Sequence, residues 1–404
     1  MNPGLTERIL AAAERQREHM VSVRRQIHAH PELAYQEVQT ARLLANEVEK
    51  LGLPARTGVA GTGIVALLAG SGAGKTVALR ADIDALPLAD LKKVPYASQN
   101  PGVGHLCGHD AHAAMALGAA AILQELHGEW PGHVKFLFEP AEEMANASGT
   151  SGARAMVEDG ALVNPDVDAV LALHVFPEWP TGSVALRVGS IMAGHSKFRL
   201  AILGHEAHPT TPQLGVDAGL VAAEVLQALY TLAGRIVDPG DAFTLSVGLI
   251  KGGTAYNLVP ARVEMVGSVR TGDEERRPRF REDVERVVRG ICAAHGAEYE
   301  LQYEPYTYPA TCNDPALAQR FARAAGQLLG EDKVVWLDRP RLAGETFHEY
   351  LKRVPGVYAF LGTGNPAKGT TYSSHHSLFD IDEDALPVGA ALLAAGAIDF
   401  LTTS

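Results

Sequence analysis

Short runs rich in Val, Ile and Leu, at residues 63–68, 76–80, 133–138 and 169–174, alternate with Ala- and Leu-rich helical stretches at 111–126 and 152–158. This alternation predicts an α/β layer around a largely parallel sheet, because a parallel strand pair needs a crossover long enough to hold a helix. Ahead of these runs, residues 6–29 follow an amphipathic helical pattern that stops at the His30-Pro31 step, and residues 37–51 make a second helix ending at Gly52. The middle of the chain breaks the rhythm. Strand patterns at 196–203, 244–250, 262–270 and 298–304 enclose helices near 217–235 and 279–295. Strand, helix, two strands, helix, strand is the ferredoxin-like plan. After Asn313 the first rhythm resumes and ends in a helix over 386–400. The expected organisation is one α/β domain built from residues 1–189 and 310–404, interrupted by an α+β domain over residues 190–309.

The 404 residues suit two or three domains of ordinary size. Net charge is −12, with no block of five or more like charges, which argues against nucleic acid or an anionic membrane as partner. The three cysteines, Cys107, Cys292 and Cys312, are too few and odd in number for a disulfide framework, so a thiol is available as a ligand. Residues 1–20 carry Glu7, Arg8, Glu14, Arg15, Arg17 and Glu18 without an apolar core, and no stretch reaches 18 uninterrupted apolar residues. Neither a signal peptide nor a membrane-spanning helix is expected, and a cytoplasmic location follows as an expectation.

Chemistry concentrates at the predicted strand ends. Gly104-His105-Leu106-Cys107-Gly108-His109-Asp110-Ala111-His112 lies in a Gly-punctuated loop before a helix. Cys107 and His109 can converge on one ion if the chain bends at Gly108. Asp110 and His112 are either further ligands or supports for the helix start. Read alone, this segment is also compatible with a His-rich helix entry beside a buried free cysteine. Phe138-Glu139-Pro140-Ala141-Glu142-Glu143 follows a buried strand, on the edge where open α/β sheets bind ligands. Adjacent carboxylates there suit two jobs, one holding metal and one accepting a proton from water, although acids are favoured at any helix N-terminus. His174 closes another apolar run, His375 and His376 sit in a late loop, and Asp82 and Asp84 close the run at 76–80. Four separate strand ends or loops opening on one edge are better explained by a shared metal centre than by coincidence. One thiolate, three imidazoles and a carboxylate suit Zn, Mn, Co or Ni better than Ca or Mg, and they are too many for a closed four-coordinate site.

These residues resemble the aminoacylase/carboxypeptidase type of metal-dependent amidohydrolase, the group that includes hippurate hydrolases, N-acyl-L-amino acid amidohydrolases and hydrolases of indole-acetyl amino acids. The resemblance runs from Arg25-Gln26-Ile27-His28-Ala29-His30-Pro31-Glu32-Leu33 to Phe379-Asp380-Ile381-Asp382-Glu383-Asp384-Ala385-Leu386-Pro387. Its most specific pieces are Cys107–His112, Pro140-Ala141-Glu142-Glu143 and Gly252-Gly253-Thr254-Ala255-Tyr256-Asn257. It implies a zinc-exopeptidase-like α/β domain with an inserted lid and dimerisation domain. It also implies two divalent ions per subunit, Mn or Zn with Co or Ni as further candidates, on Cys107, His109, Glu143, His174 and His375. His375 is chosen by counting four back from Phe379; the usual His-x-Pro spacing lacks its proline here, and His376 is the neighbour.

The resemblance further implies that Glu142 is the general base and that His208 reaches a neighbouring active site across a dimer to steady the carbonyl oxygen. Asn257, Arg270 and Glu345 would hold the substrate. The chain departs from the pattern at Glu345-Thr346-Phe347, where relatives tend to have Glu-Asp-Phe, and at Gly204-His205-Glu206 ahead of His208. The implied activity is hydrolysis of N-acyl amino acids to a carboxylic acid and a free amino acid. A dipeptidase or carboxypeptidase on the same site, and a non-catalytic metal-binding protein, are the alternatives.

Overall fold

Ile9, Ala12, Ala13, Met20, Val23 and Ile27 recur at helical spacing and are all buried. They form two helices where the sequence pattern predicts one: α1 (Pro3–Arg15) and α2 (Arg17–Ala29). The ladder tightens at Gln16, whose N–H bonds back to the Ala13 carbonyl at 3.1 Å, three residues away instead of four. This computed structural model describes residues 3–304 and 308–403 and divides the chain into two units.

The first unit spans Met1–Gly189, Cys312–Asp338 and Thr346–Ser404. After α1 and α2 its early part holds α3 (Val38–Lys50), β1 (Ala55–Val59), β2 (Gly63–Ala69), β3 (Thr76–Asp82), α4 (His109–Glu125), β4 (His133–Glu139), α5 (Gly152–Glu158), β5 (Ala169–Pro180) and β6 (Val184–Leu186). The second unit, Ser190–Thr311 with Arg339–Glu345, holds β8 (Gly194–Leu203), α6 (Ala218–Ile236), β9 (Phe243–Gly252), β10 (Arg262–Thr271), α7 (Arg276–His295) and β11 (Glu298–Tyr303), with β7 (Gly189–Met192) and β12 (Thr311–Asn313) at its two ends in sequence. The first unit then resumes with α8 (Pro315–Leu329), β13 (Val334–Trp336), α9 (His348–Leu351), β14 (Gly356–Gly364) and α10 (Ala385–Thr402).

The first unit's eight strands lie in the order β1-β2-β4-β3-β5-β14-β6-β13. The sheet is mixed. Its centre is parallel, β4 to β3 to β5 to β14, while β1, β2 and β6 meet their inner neighbours antiparallel. Every residue of β3 and β14 is buried, as expected of strands covered on both faces. α10 is long and apolar enough to cross a membrane by composition alone, but it is a core helix here, packed on α4, α8 and α1.

In the second unit the sheet order is β11-β8-β10-β9, antiparallel throughout. Phe198, Leu200 and Ile202 alternate along β8 and pack in one core with Val221, Val225 and Leu229 of α6 and Val284, Val288 and Cys292 of α7. The α+β insert is therefore present with the predicted element order. Residues 339–345 cluster with it as well, for Arg341 N–H bonds to Ile191 O at 2.9 Å and Arg270 donates to Leu342 O at 3.0 Å.

A buried charge network sets the entrance of α4. The Arg24 guanidinium is fully buried and donates to Asp110 at 2.8 Å, Asp380 at 2.6 Å and Glu383 at 3.0 Å. Burial works against ionisation of Asp110 and Asp380, but Arg24 outweighs it and holds both below the usual carboxylate range. Removing one partner of such a pair leaves an uncompensated buried charge. Arg24→Met is therefore expected to cost about 3–5 kcal/mol in urea unfolding at neutral pH. Because the folded-state pKa values are depressed, this stabilisation is present above the unfolded aspartate value of about 4 and is lost as pH falls through the folded values. The gap between variant and wild type should narrow below pH ~4.

Candidate metal centre

Three residues with positive φ turn the chain toward the C-terminal edge of the parallel strands. Gly108 has φ 100°, and a Cβ there would stand 2.2 Å from Val175 Cγ2, so both its backbone and its space require glycine. This is the bend that lets Cys107 and His109 face one another. Ala141 (φ 51°) is held by its N–H on Glu37 Oε1 at 2.9 Å, and it aims the following Glu142 and Glu143. His375 (φ 65°) is tied by its N–H to Leu106 O at 2.7 Å. Left-handed non-glycine residues are uncommon and cluster at functional sites.

Donor atoms of Cys107, His109 and His174 lie within 4.8 Å of one another, and so do those of Cys107, Glu143 and His375. The two groups share the Cys107 sulfur. Glu142 joins His109 and Glu143 in a third such group. Cys107 Sγ is 3.4 Å from His174 Nε2, and Glu143 Oε1 is 3.3 Å from His375 Nε2 and 3.9 Å from His109 Nε2. All five expected ligands and the expected base are therefore brought to one place. His376 instead stacks on Tyr372 at 4.5 Å and accepts the Leu378 N–H through Nδ1.

Ring hydrogen bonds assign the histidines. His109 Nδ1 meets the Asp84 carbonyl at 3.0 Å, and His174 Nδ1 meets the Val175 carbonyl at 2.9 Å. A carbonyl can only accept, so both Nδ1 atoms carry the proton and both Nε2 atoms keep a lone pair for a cation. His112 is different. Its Nε2 already accepts the Val175 N–H at 2.9 Å and its Nδ1 faces Asp82 Oδ1, so it supports the site and has no lone pair to offer. Asp110, turned to Arg24 and His28, is likewise a support.

Buried polar atoms without partners are costly, and two of them, His109 Nε2 and Glu143 Oε1, lie here without a hydrogen bond. Burial pushes the Cys107 thiol well up, and the neighbouring Glu143 adds to it; a coordinated cation would reverse that balance and favour the thiolate. Burial opposes charge on His109, yet Asp82 and Asp84 outweigh it and raise this imidazole; a bound cation would take the place of the second proton on Nε2. The donor chemistry and the two overlapping groups fit two divalent ions.

His174 does not end its strand. β5 continues to Pro180, while pairing with β3 stops at Arg80–Ala172, so in this register His174 stands level with Asp82 at the end of β3. Sequence reasoning finds Asp82 and Asp84 only as acids at a strand end and Thr346 only as a departure from the family pattern, and no spacing marks Arg80 or joins it to Thr346. His208, Asn257, Arg270 and Glu345 fall in the second unit. His208, in the β8–α6 loop, is exposed and bonds Thr210 Oγ1 at 2.7 Å. Asn257 is exposed in the β9–β10 turn, Arg270 lies on β10, and Glu345 is buried.

The sequence profile of Peptidase family M20/M25/M40 matches residues 78–398. Thermostable carboxypeptidase 2 of Saccharolobus solfataricus is 37% identical over 94% of this chain and 95% of its own. N-acetyl-L-cysteine deacetylase of Bacillus subtilis is 36% identical over 91% of this chain and 84% of its own. The crystal structure of a dinuclear metal binding peptidase of the M20 family from Bacillus subtilis superposes with a TM-score of 0.84 at 31% identity, covering 97% of this chain and 99% of that one.

Proposed function

The chain belongs to Peptidase family M20/M25/M40 and is a metal-dependent hydrolase, and on that premise we propose that it cleaves the amide of N-acyl amino acids, releasing a carboxylic acid and a free amino acid. The observation that carries this reading is Glu142, a carboxylate beside the ligand Glu143 and within 4.8 Å of the His109 donor atom, with its Oε1 held by the Thr346 N–H at 3.1 Å. The assigned ligands are Cys107, His109, Glu143, His174 and His375, with Mn or Zn as the native ions and Co or Ni as substitutes. Bound divalent ions supply Lewis acidity and make water a nucleophile near neutral pH. Glu142 takes the proton of the attacking water and returns it to the leaving amine. Asp82 and Asp84 hold the imidazoles of His112 and His109 in fixed orientation, which keeps ligand geometry constant through turnover.

The second unit is assigned as a lid and dimerisation domain for a cytoplasmic homodimer or larger oligomer. Its His208 would serve a neighbouring subunit's oxyanion, and Asn257, Arg270 and Glu345 would bind substrate. Burial holds the Arg270 guanidinium below its ordinary value, yet it stays a cation suited to a carboxylate.

The deacetylase relative supports an acyl-amino-acid substrate, and the carboxypeptidase relative supports peptide cleavage as the second reading. N-acetyl- and N-benzoyl-amino acids assayed beside dipeptides separate the two. The expected result is a kcat/KM at least ~10-fold higher for acyl-amino acids, the discrimination that about 1.4 kcal/mol of differential transition-state binding supplies. A preference for dipeptides would replace the proposal with the peptidase reading.

A further inference from the structure

We propose that Thr346 is a positioning residue for Glu142, an inference that rests on Glu142 being the proton-transferring carboxylate. The Thr346 N–H donates to Glu142 Oε1 at 3.1 Å. Its hydroxyl donates to Glu139 Oε1 at 2.6 Å and accepts from Arg80 at 3.1 Å. Arg80 in turn donates to Glu139 at 2.7 Å and to Asp82 at 2.6 Å. Thr346, Glu139, Arg80 and Asp82 are all buried. The hydroxyl thus uses both its donor and its acceptor capacity to lock one peptide unit onto the ends of β3 and β4, the strands that bring up Asp82 and Glu142. Glu142 follows β4 by three residues, is only partly buried, and carries a side chain with freely rotating torsions. An amide donor fixed in this way selects one of its orientations.

Charge explains why a hydroxyl serves here. Arg80 already balances two carboxylates, Asp82 and Glu139. An aspartate at 346, where the resemblance leads one to expect it, would place a third carboxylate against Glu139 at hydrogen-bond distance, beside an Arg80 guanidinium that already faces two. Like charges at that separation disfavour joint ionisation. The neutral Thr346 makes both contacts without the repulsion.

The test compares metal-loaded variants of the full chain on one N-acyl amino acid. Thr346→Val is expected to lower kcat about 10- to 100-fold, the scale of an ångström-level misplacement, with KM and metal content unchanged. Thr346→Ser should restore most of the loss. Thr346→Asp should be impaired, and adding Glu139→Gln should recover kcat, so this pair decides the matter if the Val variant does not fold. In a Glu142→Gln background, Thr346→Val should add no further loss, because both changes act through one carboxylate. Wild-type kcat in Thr346→Val, no recovery in Thr346→Ser or in the Glu139→Gln double variant, or full additivity with Glu142→Gln would overturn the inference. Wild-type turnover by metal-loaded Glu142→Gln would instead remove the base assignment beneath it, which distinguishes the two failures.

Discussion

Metal-loaded Glu142→Gln protein is expected to keep both ions and to lose about 10²- to 10⁴-fold in kcat, the range of a general base. The amide is isosteric with the carboxylate, and its carbonyl oxygen can still accept the Thr346 N–H that meets Oε1 at 3.1 Å in the native chain. Packing and metal binding should therefore survive while proton affinity is lost. Glu142 is in donor range of His109 and Glu143, so metal content must be measured alongside turnover. Paired metal analysis and steady-state kinetics check the expectation; two bound ions with near-native kcat would contradict the role given to Glu142.

Cys107→Ala should have the other large effect. Its sulfur belongs to both candidate ligand groups, with His109 and His174 on one side and Glu143 and His375 on the other. Deleting a ligand from a single-ion group would spare the second ion, but deleting the shared one weakens both. Metal content should fall from two ions per chain to fewer than one after dialysis, and activity should fall with it. The fold should persist, because Cys107 sits in the loop just ahead of α4 and the change to Ala removes a single sulfur atom. Native-like circular dichroism with depleted metal is the expected pair of observations. Retention of two tightly bound ions would show that Cys107 is not shared.

Much of the site was legible because its chemistry is local. Cys107 to His112 and Glu139 to Glu143 each place several donor-type residues on a short segment at a strand end, where the α/β plan predicts a ligand edge. The choice of His375 over His376 comes only from the resemblance. What could not be read is the long-range part. The Arg80–Thr346 contact joins residues 266 apart in sequence, and no period or spacing announces such a pair. The distinction between His109 and His112 also lies outside sequence reasoning, since it depends on which ring nitrogen meets a carbonyl and which meets an amide N–H. The predicted single N-terminal helix failed at Gln16 because the apolar spacing of α1 and α2 is continuous across a break that only the backbone records. The apolar run that stops at His174 predicts a strand end there, whereas pairing with β14 carries β5 six residues farther, to Pro180.

The most direct test is a metal titration of chelator-treated protein, with release of free amino acid from an N-acetyl amino acid followed at each addition. The account predicts no hydrolysis in the metal-free chain and full activity when two equivalents of Mn or Zn are bound. Full activity without metal, or two bound ions with no hydrolysis of any acyl-amino acid or dipeptide, would contradict it.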